Sequence, residues 1–274
     1  YGSRYGDLAA FLAGQGIVVA VHDLMGHGGS VAEGAPHGYF APQDGWRSCL
    51  ADLRNFNGQL RREYPGLPIF LMGHSLGSFM VRDTLIRYDD KFDGVILSGT
   101  GCNSRLRYDS GLAISSLIRL FKGPRAKSRL ARDLCFARYA RPYKREHPSI
   151  AWLTRDRQEY LAYAKDPWCR FMPSVELIRQ MLGSMRHMDS PRNYRQIRRD
   201  IPLLLISGDG DPAGNFGKGV ALVCQRLQAA GCADVTLRLY PGARHEVVSD
   251  PDKAQVYADI LAWLEEKLLK AAGC

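Results

Sequence analysis

The 274-residue sequence predicts an α/β fold built on a doubly wound, mostly parallel sheet. Short runs of β-branched and other apolar residues, typical of strands buried on both faces, alternate with longer amphipathic segments of helical period. Glycine and proline separate the two kinds of segment. This alternation predicts parallel strands with helices packed on both faces of the sheet.

Three predicted strands lie in the first 101 residues, and each follows a helical segment. Gly14 and Gly16 close the first helix, and Pro65 ends the second. In chain order we expect a helix at 5–14, a strand at 17–24, a helix at 44–64, a strand at 67–73, a helix at 76–88 and a strand at 92–100.

A helical insertion, residues 102–200, then interrupts the alternation. It has no buried-strand pattern, and strands return only at 201–206 and 234–242, with helices at 216–230 and 252–271. Because an insertion within one sheet must begin and end close together, we expect a cap rather than a separate domain. The predicted organisation is a core of residues 1–101 and 201–274 with a helical cap at 102–200, inserted after the third strand.

The insertion is also where the positive charge lies. It holds 22 Lys or Arg against 9 Asp or Glu, whereas the whole chain has a formal net charge of +9. Such an excess attracts an anionic substrate or membrane surface, or is simply a solvated face. No segment resembles a nucleic-acid-binding module, so we expect no nucleic-acid partner.

The cysteine pattern bears on metal binding and on compartment. The seven cysteines are scattered and odd in number, and no pair has Cys-x-x-Cys spacing. The pattern predicts reduced thiols in a cytoplasmic protein without a zinc site.

One short motif points to chemistry. "GHSLG" places Ser75 between the strand 67–73 and the helix that begins at Leu76. A serine on such a sharp turn is the expected context of a nucleophile. We expect Gly73 and Gly77 to let strand and helix approach closely, and the backbone N–H of Leu76 to face a developing oxyanion.

A serine nucleophile needs a base, and the base needs an acid. His245 follows the strand 234–242, and Asp209 and Asp211 follow the strand 201–206. We prefer Asp211 to Asp209 because Asp211 precedes Pro212, whereas Asp209 suits a turn. The other histidines are expected to be surface or packing residues, although two of them, in early loops, could line the site. They are His22, His27, His37, His74, His147 and His187.

These residues carry a resemblance. The ordered set "RYGDLAAFLAGQGIVVAVHDLMGHGGS", "GHSLGS", "ILSGTG", "LLLISGDGDPAGNFGKGV" and "LYPGARHEV" resembles the α/β-hydrolase superfamily, in its branch of monoacylglycerol lipases, lysophospholipases and the serine aminopeptidase S33 domain. The resemblance implies Ser75 as nucleophile, Asp211 as acid, His245 as base and Leu76 N–H as an oxyanion donor. It implies no metal or organic cofactor.

The resemblance also implies segments before Tyr1. Family members carry a His-Gly motif on a strand ahead of the "RYGDLAAFL" helix, and that strand supplies the second oxyanion donor. Since this sequence begins at Tyr1, we expect it to be an incomplete record that lacks N-terminal strands.

The predicted function is hydrolysis of a carboxylic ester of a lipid-like substrate, either a monoacylglycerol or a lysophospholipid, with transient membrane contact through the basic cap. Alternatives are a small-ester esterase, a serine aminopeptidase, or a silent hydrolase fold that only binds ligands. The sequence leaves substrate-binding residues and oligomeric state open. Apolar residues of the cap could line an acyl channel or pack the cap onto the core: Leu117, Ile118, Leu120, Phe121, Trp152, Trp168, Phe171, Met172, Met181 and Met185.

Overall fold

A parallel sheet of four strands organises the chain. The computed structural model describes residues 1–88, 90–146 and 150–271. The strands of this sheet pair in chain order: β1 (Phe70–His74), β2 (Gly94–Ser98), β3 (Leu203–Gly208) and β4 (Val235–Tyr240). The predicted doubly wound α/β architecture is confirmed.

Helices connect and cover the strands. Three further short segments are 3-10 turns, at Gly2–Tyr5, Arg141–Tyr143 and Val247–Ser249. The α-helices are α1 (Gly6–Gly14), α2 (Gly45–Glu63), α3 (Leu76–Arg87), α4 (Arg105–Lys122), α5 (Arg129–Ala140), α6 (Arg157–Lys165), α7 (Val175–Met188), α8 (Pro191–Tyr194), α9 (Lys218–Ala229) and α10 (Lys253–Ala271).

Alternate side chains of the central strands supply two cores. Leu97 and Leu205 pack with α2, α3, α7 and α9 on one face. Ile96 and Leu204 pack with α1 and α10 on the other. Because both faces are covered, every residue of β2 and β3 is buried, which explains the continuous apolar runs in their sequences.

The strand predicted at 17–24 is wrong for the described chain. This segment has no regular secondary structure and belongs to no ladder, and Val18 and Val21 are 54% and 48% exposed. Among the described residues, β1 is an edge strand that pairs only with β2. A β-branched run favours extended backbone, but a strand also needs a neighbour whose backbone groups it can bond. The insertion therefore follows the second strand of the observed sheet, not the third.

The helices α4 to α8 lie between β2 and β3 in the chain, and a buried ion pair ties them to the core. Arg82 of α3 is 1% exposed and donates to Asp189, which follows α7, at 2.5 Å. Within the described ranges, no helix is long and apolar enough to cross a membrane.

Candidate active site

Ser75 occupies the turn between β1 and α3. Its backbone has φ 50° and ψ −115°, a conformation that non-glycine residues rarely adopt. The Ser75 N–H donates to the carbonyl of Ser98 at 2.9 Å, which fixes the turn to the end of β2. The strained turn leaves the hydroxyl at the carboxyl edge of the sheet, where open α/β folds place their ligands.

Only one of the two glycines around Ser75 is required for space. A Cβ at Gly73 would lie 2.6 Å from the carbonyl oxygen of Gly77, so strand and helix are in direct backbone contact there. A Cβ at Gly77 would meet no atom within 4 Å. The prediction that both glycines permit the close approach is therefore wrong for Gly77.

His245 links the serine to a carboxylate. Its Nε2 lies 2.8 Å from Ser75 Oγ, and its Nδ1 lies 2.8 Å from Asp211 Oδ2. The relative exposure of His245 is 3%, and that of Asp211 is 0%. Since the ionised carboxylate can only accept, Nδ1–H donates to Asp211 and Nε2 is left to accept the proton of the serine hydroxyl.

The loop after β3 fixes the carboxylate. Asp211 Oδ1 accepts the N–H of Ala213 at 2.7 Å, while Oδ2 faces His245. A Cβ at Gly208 would lie 1.8 Å from the carbonyl oxygen of Ala243, so only glycine lets this loop pass the loop that carries the histidine. The two loops thus meet at contact distance.

The imidazole of His245 is poised by two opposing effects. Burial alone would lower its pKa, but the charge of Asp211 and the hydrogen bond to it outweigh burial and raise the pKa above its usual value. Glu246 adds to the rise, and Arg4 opposes it. A buried serine, histidine and carboxylate joined in this way can pass a proton from the hydroxyl to the imidazole.

Leu76 is the first residue of α3. Its N–H is one of the helix N-terminal donors that have no intrahelical acceptor, and it adjoins Ser75 in the chain. The positive end of the helix dipole lies at the same place. The position therefore suits a donor to a developing negative charge near Ser75.

Other sequence candidates lie elsewhere. Asp209 is exposed and accepts the N–H of Gly242 at 2.6 Å, which ties a turn and does not reach His245. His27 and His37 both pack against Phe171. The centroid of the Phe171 ring lies 5.2 Å from that of His27 and 6.0 Å from that of His37.

The remaining histidines have separate surroundings. His22 packs on Phe56, His187 faces Asp83, and His147 falls outside the described residues. In the described ranges, no three His, Cys, Asp or Glu side chains come together as a metal site.

The apolar residues of the insertion lie in different surroundings. Met181 and Met185 are buried in the core, whereas Leu117 and Leu120 are 57% and 75% exposed. The sequence did not indicate the contact that Trp152 makes. Its ring packs on that of His245, with centroids 4.9 Å apart. The His74 ring lies 4.8 Å from the same imidazole.

Sequence reasoning also missed an ion pair beside the histidine. Arg4, ahead of α1, donates to Glu246 at 2.5 Å and lies over the ring of Tyr163. No periodicity or motif marks these partners, which are far apart in the chain.

The fold and the site together define a class. A parallel sheet with a strained serine after β1, a carboxylate after β3 and a histidine after β4 has the architecture of an α/β-hydrolase, which is an enzyme class. A family model described as "Serine aminopeptidase, S33" matches residues 1–252. The chain belongs to this family.

Characterised relatives extend over nearly the whole chain. It is 25% identical to a monoacylglycerol lipase of Mycolicibacterium smegmatis over 98% of this chain and 85% of that protein. It is 26% identical to the human monoglyceride lipase over 99% of this chain and 80% of that protein.

Solved structures agree on the fold. The chain is similar to a thermostable carboxyl esterase from Bacillus coagulans, solved in complex with glycerol, with a TM-score of 0.88 and 24% identity. That match covers 96% of this chain and 85% of the esterase.

Proposed function

We propose that this enzyme hydrolyses the carboxylic ester of a monoacylglycerol through an acyl-enzyme on Ser75. The single observation that carries the proposal is the buried chain of Ser75, His245 and Asp211, with both links at 2.8 Å. The lipase and esterase names of the relatives support the ester and the glyceride.

The proposed reaction runs in two halves. His245 Nε2 takes the Ser75 proton as Oγ attacks the carbonyl carbon, and Leu76 N–H donates to the oxyanion. His245 then gives its proton to the departing glycerol oxygen, which leaves an acyl-serine. A water, deprotonated by the same imidazole, releases the fatty acid, and Asp211 stabilises the imidazolium in both halves. These steps need no metal or organic cofactor.

A lysophospholipid is the second candidate substrate, and the positive charge of the insertion favours it. That segment carries 22 Lys or Arg against 9 Asp or Glu, and a phosphate-bearing headgroup would be attracted to it. A glycerol headgroup gains nothing from this field. A salt-dependent preference for the lysophospholipid would decide between the two substrates.

We also propose that residues 102–200 act as a cap. They include Trp152, which packs directly on His245, and a residue from the insertion would therefore border the reacting centre. The insertion also contributes Met181 and Met185 to the hydrophobic core, so it is anchored to the core as well as bordering the site.

Membrane contact is proposed through one face of α4. Leu106, Leu117, Leu120 and Phe121 follow helical spacing, and Leu106 and Phe121 are 79% and 77% exposed. Exposed cations follow at the end of the helix: Lys122, Arg125, Lys127 and Arg129. Apolar residues beside cations fit the surface of an anionic bilayer.

Vesicle sedimentation tests the membrane contact. Binding to phosphatidylcholine vesicles that contain phosphatidylglycerol is expected to fall for the double variant Leu120→Ser, Phe121→Ser. Leu269→Ser is the matched control, because Leu269 is 60% exposed but lies on α10. Equal loss for both variants would contradict a specific role for α4.

A fluorophosphonate probe and a substrate panel test the activity. Labelling of the wild type but not of Ser75→Ala supports the enzyme, whereas no labelling favours a silent binding protein. The panel contains monoacylglycerols of several chain lengths, lysophospholipids, short esters and aminoacyl amides. Turnover confined to the amides would replace the lipase with the aminopeptidase, and turnover confined to short esters would favour an esterase.

A cytoplasmic location is proposed from the cysteines. The six cysteines whose side chains are described are free thiols, as expected in a reducing compartment. Fractionation of the source cells with an antibody against the protein would test the location.

A further inference from the structure

A strap of the insertion, residues 151–155, runs along the loop that carries His245. The Glu246 N–H donates to the carbonyl of Leu153 at 2.7 Å, and the His245 N–H donates to that of Trp152 at 3.4 Å. Thr154 Oγ1 donates to the carbonyl of Ser249 at 2.9 Å. The strap is thus bonded to the backbone of the histidine loop at His245 and after it.

Charged side chains reinforce the same contact. Arg244, 8% exposed, donates to the carbonyl of Ala151 at 2.6 Å and to Glu146 at 2.6 Å. Arg155 donates to Asp250 at 2.7 Å. A hydrogen bond from Arg244 to Ala151 at one end and the ion pair of Arg155 and Asp250 at the other therefore hold the strap and the histidine loop together.

The strap places an indole against the His245 ring. The Trp152 ring lies 4.9 Å from the imidazole at 41°, and Tyr139 packs on Trp152 with centroids 5.1 Å apart. The His74 ring also contacts the imidazole, with centroids 4.8 Å apart. Two rings therefore contact the imidazole, which also meets Ser75 through Nε2 and Asp211 through Nδ1.

The His74 ring suits this role because it is uncharged. Its Nδ1 contacts Ser98 Oγ at 3.0 Å, and its Nε2 is buried with no hydrogen-bond partner among the described residues. Burial, and then the nearby His245, keep the pKa of His74 well below its usual value. A neutral ring packs against His245 without repelling the imidazolium.

We propose that Trp152 is a positioning residue for His245: its indole, held by the strap, fixes the plane of the imidazole between Asp211 and Ser75 and keeps water from its face. The inference rests on the proposed function, in which His245 transfers protons twice. Two hydrogen bonds alone let a ring tilt about the line that joins them. Rings packed against the imidazole restrict that tilt. A proton relay needs this restriction because misplacement by about 1 Å costs roughly 100-fold in rate.

The kinetic test compares Trp152→Ala, Trp152→Leu and Trp152→Phe with the wild type on one short and one long acyl ester. We expect kcat to fall about 10- to 100-fold for the alanine variant on both esters. KM is expected to change little, and phenylalanine should restore most of kcat. If Trp152→Ala does not fold, Trp152→Leu replaces it in the comparison. The kcat of the leucine variant is expected to lie between those of the alanine and phenylalanine variants. An increase in KM confined to the long ester, with kcat unchanged, would overturn the proposal and make Trp152 an acyl-chain contact.

A second readout does not need turnover. The His245 Nδ1–H proton, hydrogen-bonded to Asp211, is expected to give a downfield NMR resonance in the wild type and in Trp152→Phe. In Trp152→Ala it should broaden through exchange with water, and its titration should shift. The groups that face this imidazole are Asp211, Ser75, His74, Glu246 and Arg4.

The kinetic and NMR measurements distinguish a failure of the positioning role from a failure of the proposed function. An unchanged resonance in folded Trp152→Ala would overturn the positioning role. A broadened resonance, together with a wild type that hydrolyses no ester, would sink the proposed function and leave the positioning role standing.

Discussion

His245 Nδ1 lies 2.8 Å from Asp211 Oδ2, and both side chains are almost completely buried. A carboxylate in this position selects the tautomer in which Nε2 faces Ser75 with its lone pair. In the dry surroundings of the site it also stabilises the positive charge that the imidazole acquires.

Asp211→Asn tests that relationship. An amide can hold the ring in the wrong tautomer and carries no charge, so kcat should fall by about 10⁴-fold, the order seen for this substitution in a well-studied serine protease. Steady-state kinetics on a soluble ester measure the loss. Asp209→Asn is the matched control and should retain nearly full activity, because Asp209 accepts from Gly242 instead. Equal loss in both variants would contradict the assignment of Asp211.

The pH profile should show the raised pKa of His245. The imidazole must be neutral to accept a proton, and Asp211 raises its pKa above the ordinary value of 6.5. Activity should therefore fall on the acid side with a midpoint above about 6.5. The pH dependence of kcat/KM measures that midpoint. In Asp211→Asn the main opposition to burial is lost, so the midpoint of the residual activity should move to lower pH. A shift to higher pH would argue against the carboxylate as the cause.

Gly73→Ala should strain the nucleophile turn. The new Cβ would meet the Gly77 carbonyl at 2.6 Å, which is backbone and cannot swing aside. Overpacking of this kind costs about 1–3 kcal/mol of unfolding free energy, and the displaced Ser75 should lose turnover as well. Urea unfolding gives the first quantity. For Gly77→Ala, where a Cβ meets no atom within 4 Å, we expect no loss of stability, and a loss equal to that of Gly73→Ala would refute the steric argument.

Arg82→Met should strongly destabilise the fold. It leaves Asp189 buried without its cation, and breaking such a pair costs about 3–5 kcal/mol. Chemical denaturation measures the change. Adding Asp189→Leu should recover much of the stability, since no buried charge then remains. The exposed pair of Arg54 and Asp90 is the control, and Arg54→Met should cost less than about 1 kcal/mol.

The strands that the sequence predicted correctly are those with neighbours on the sheet. The run at 203–206 is apolar because β2 and β4 flank it and both faces are covered. The run at 17–24 is also rich in apolar residues but has no ladder partner in the described chain. Composition reports a preference for extended backbone, whereas pairing depends on residues elsewhere, so the pattern could not distinguish the two.

The same limit applies to the site. The sequence alone predicts that Ser75, Asp211 and His245 lie together, because each follows a strand and parallel strands end at one edge of the sheet. Trp152 follows no strand and has no motif. Its contact depends on how the chain returns from α5 to the sheet, which only the three-dimensional structure gives.

The strap at 151–155 determines which segment of this enzyme can be exchanged with that of another hydrolase. Replacement of residues 102–200 by the insertion of another hydrolase would remove the indole and the carbonyls that hold the histidine loop, even with every residue of the core retained. A graft that ends before Ala151 keeps them. The useful module boundary for engineering new substrate ranges therefore lies inside the insertion, some fifty residues before β3 begins at Leu203.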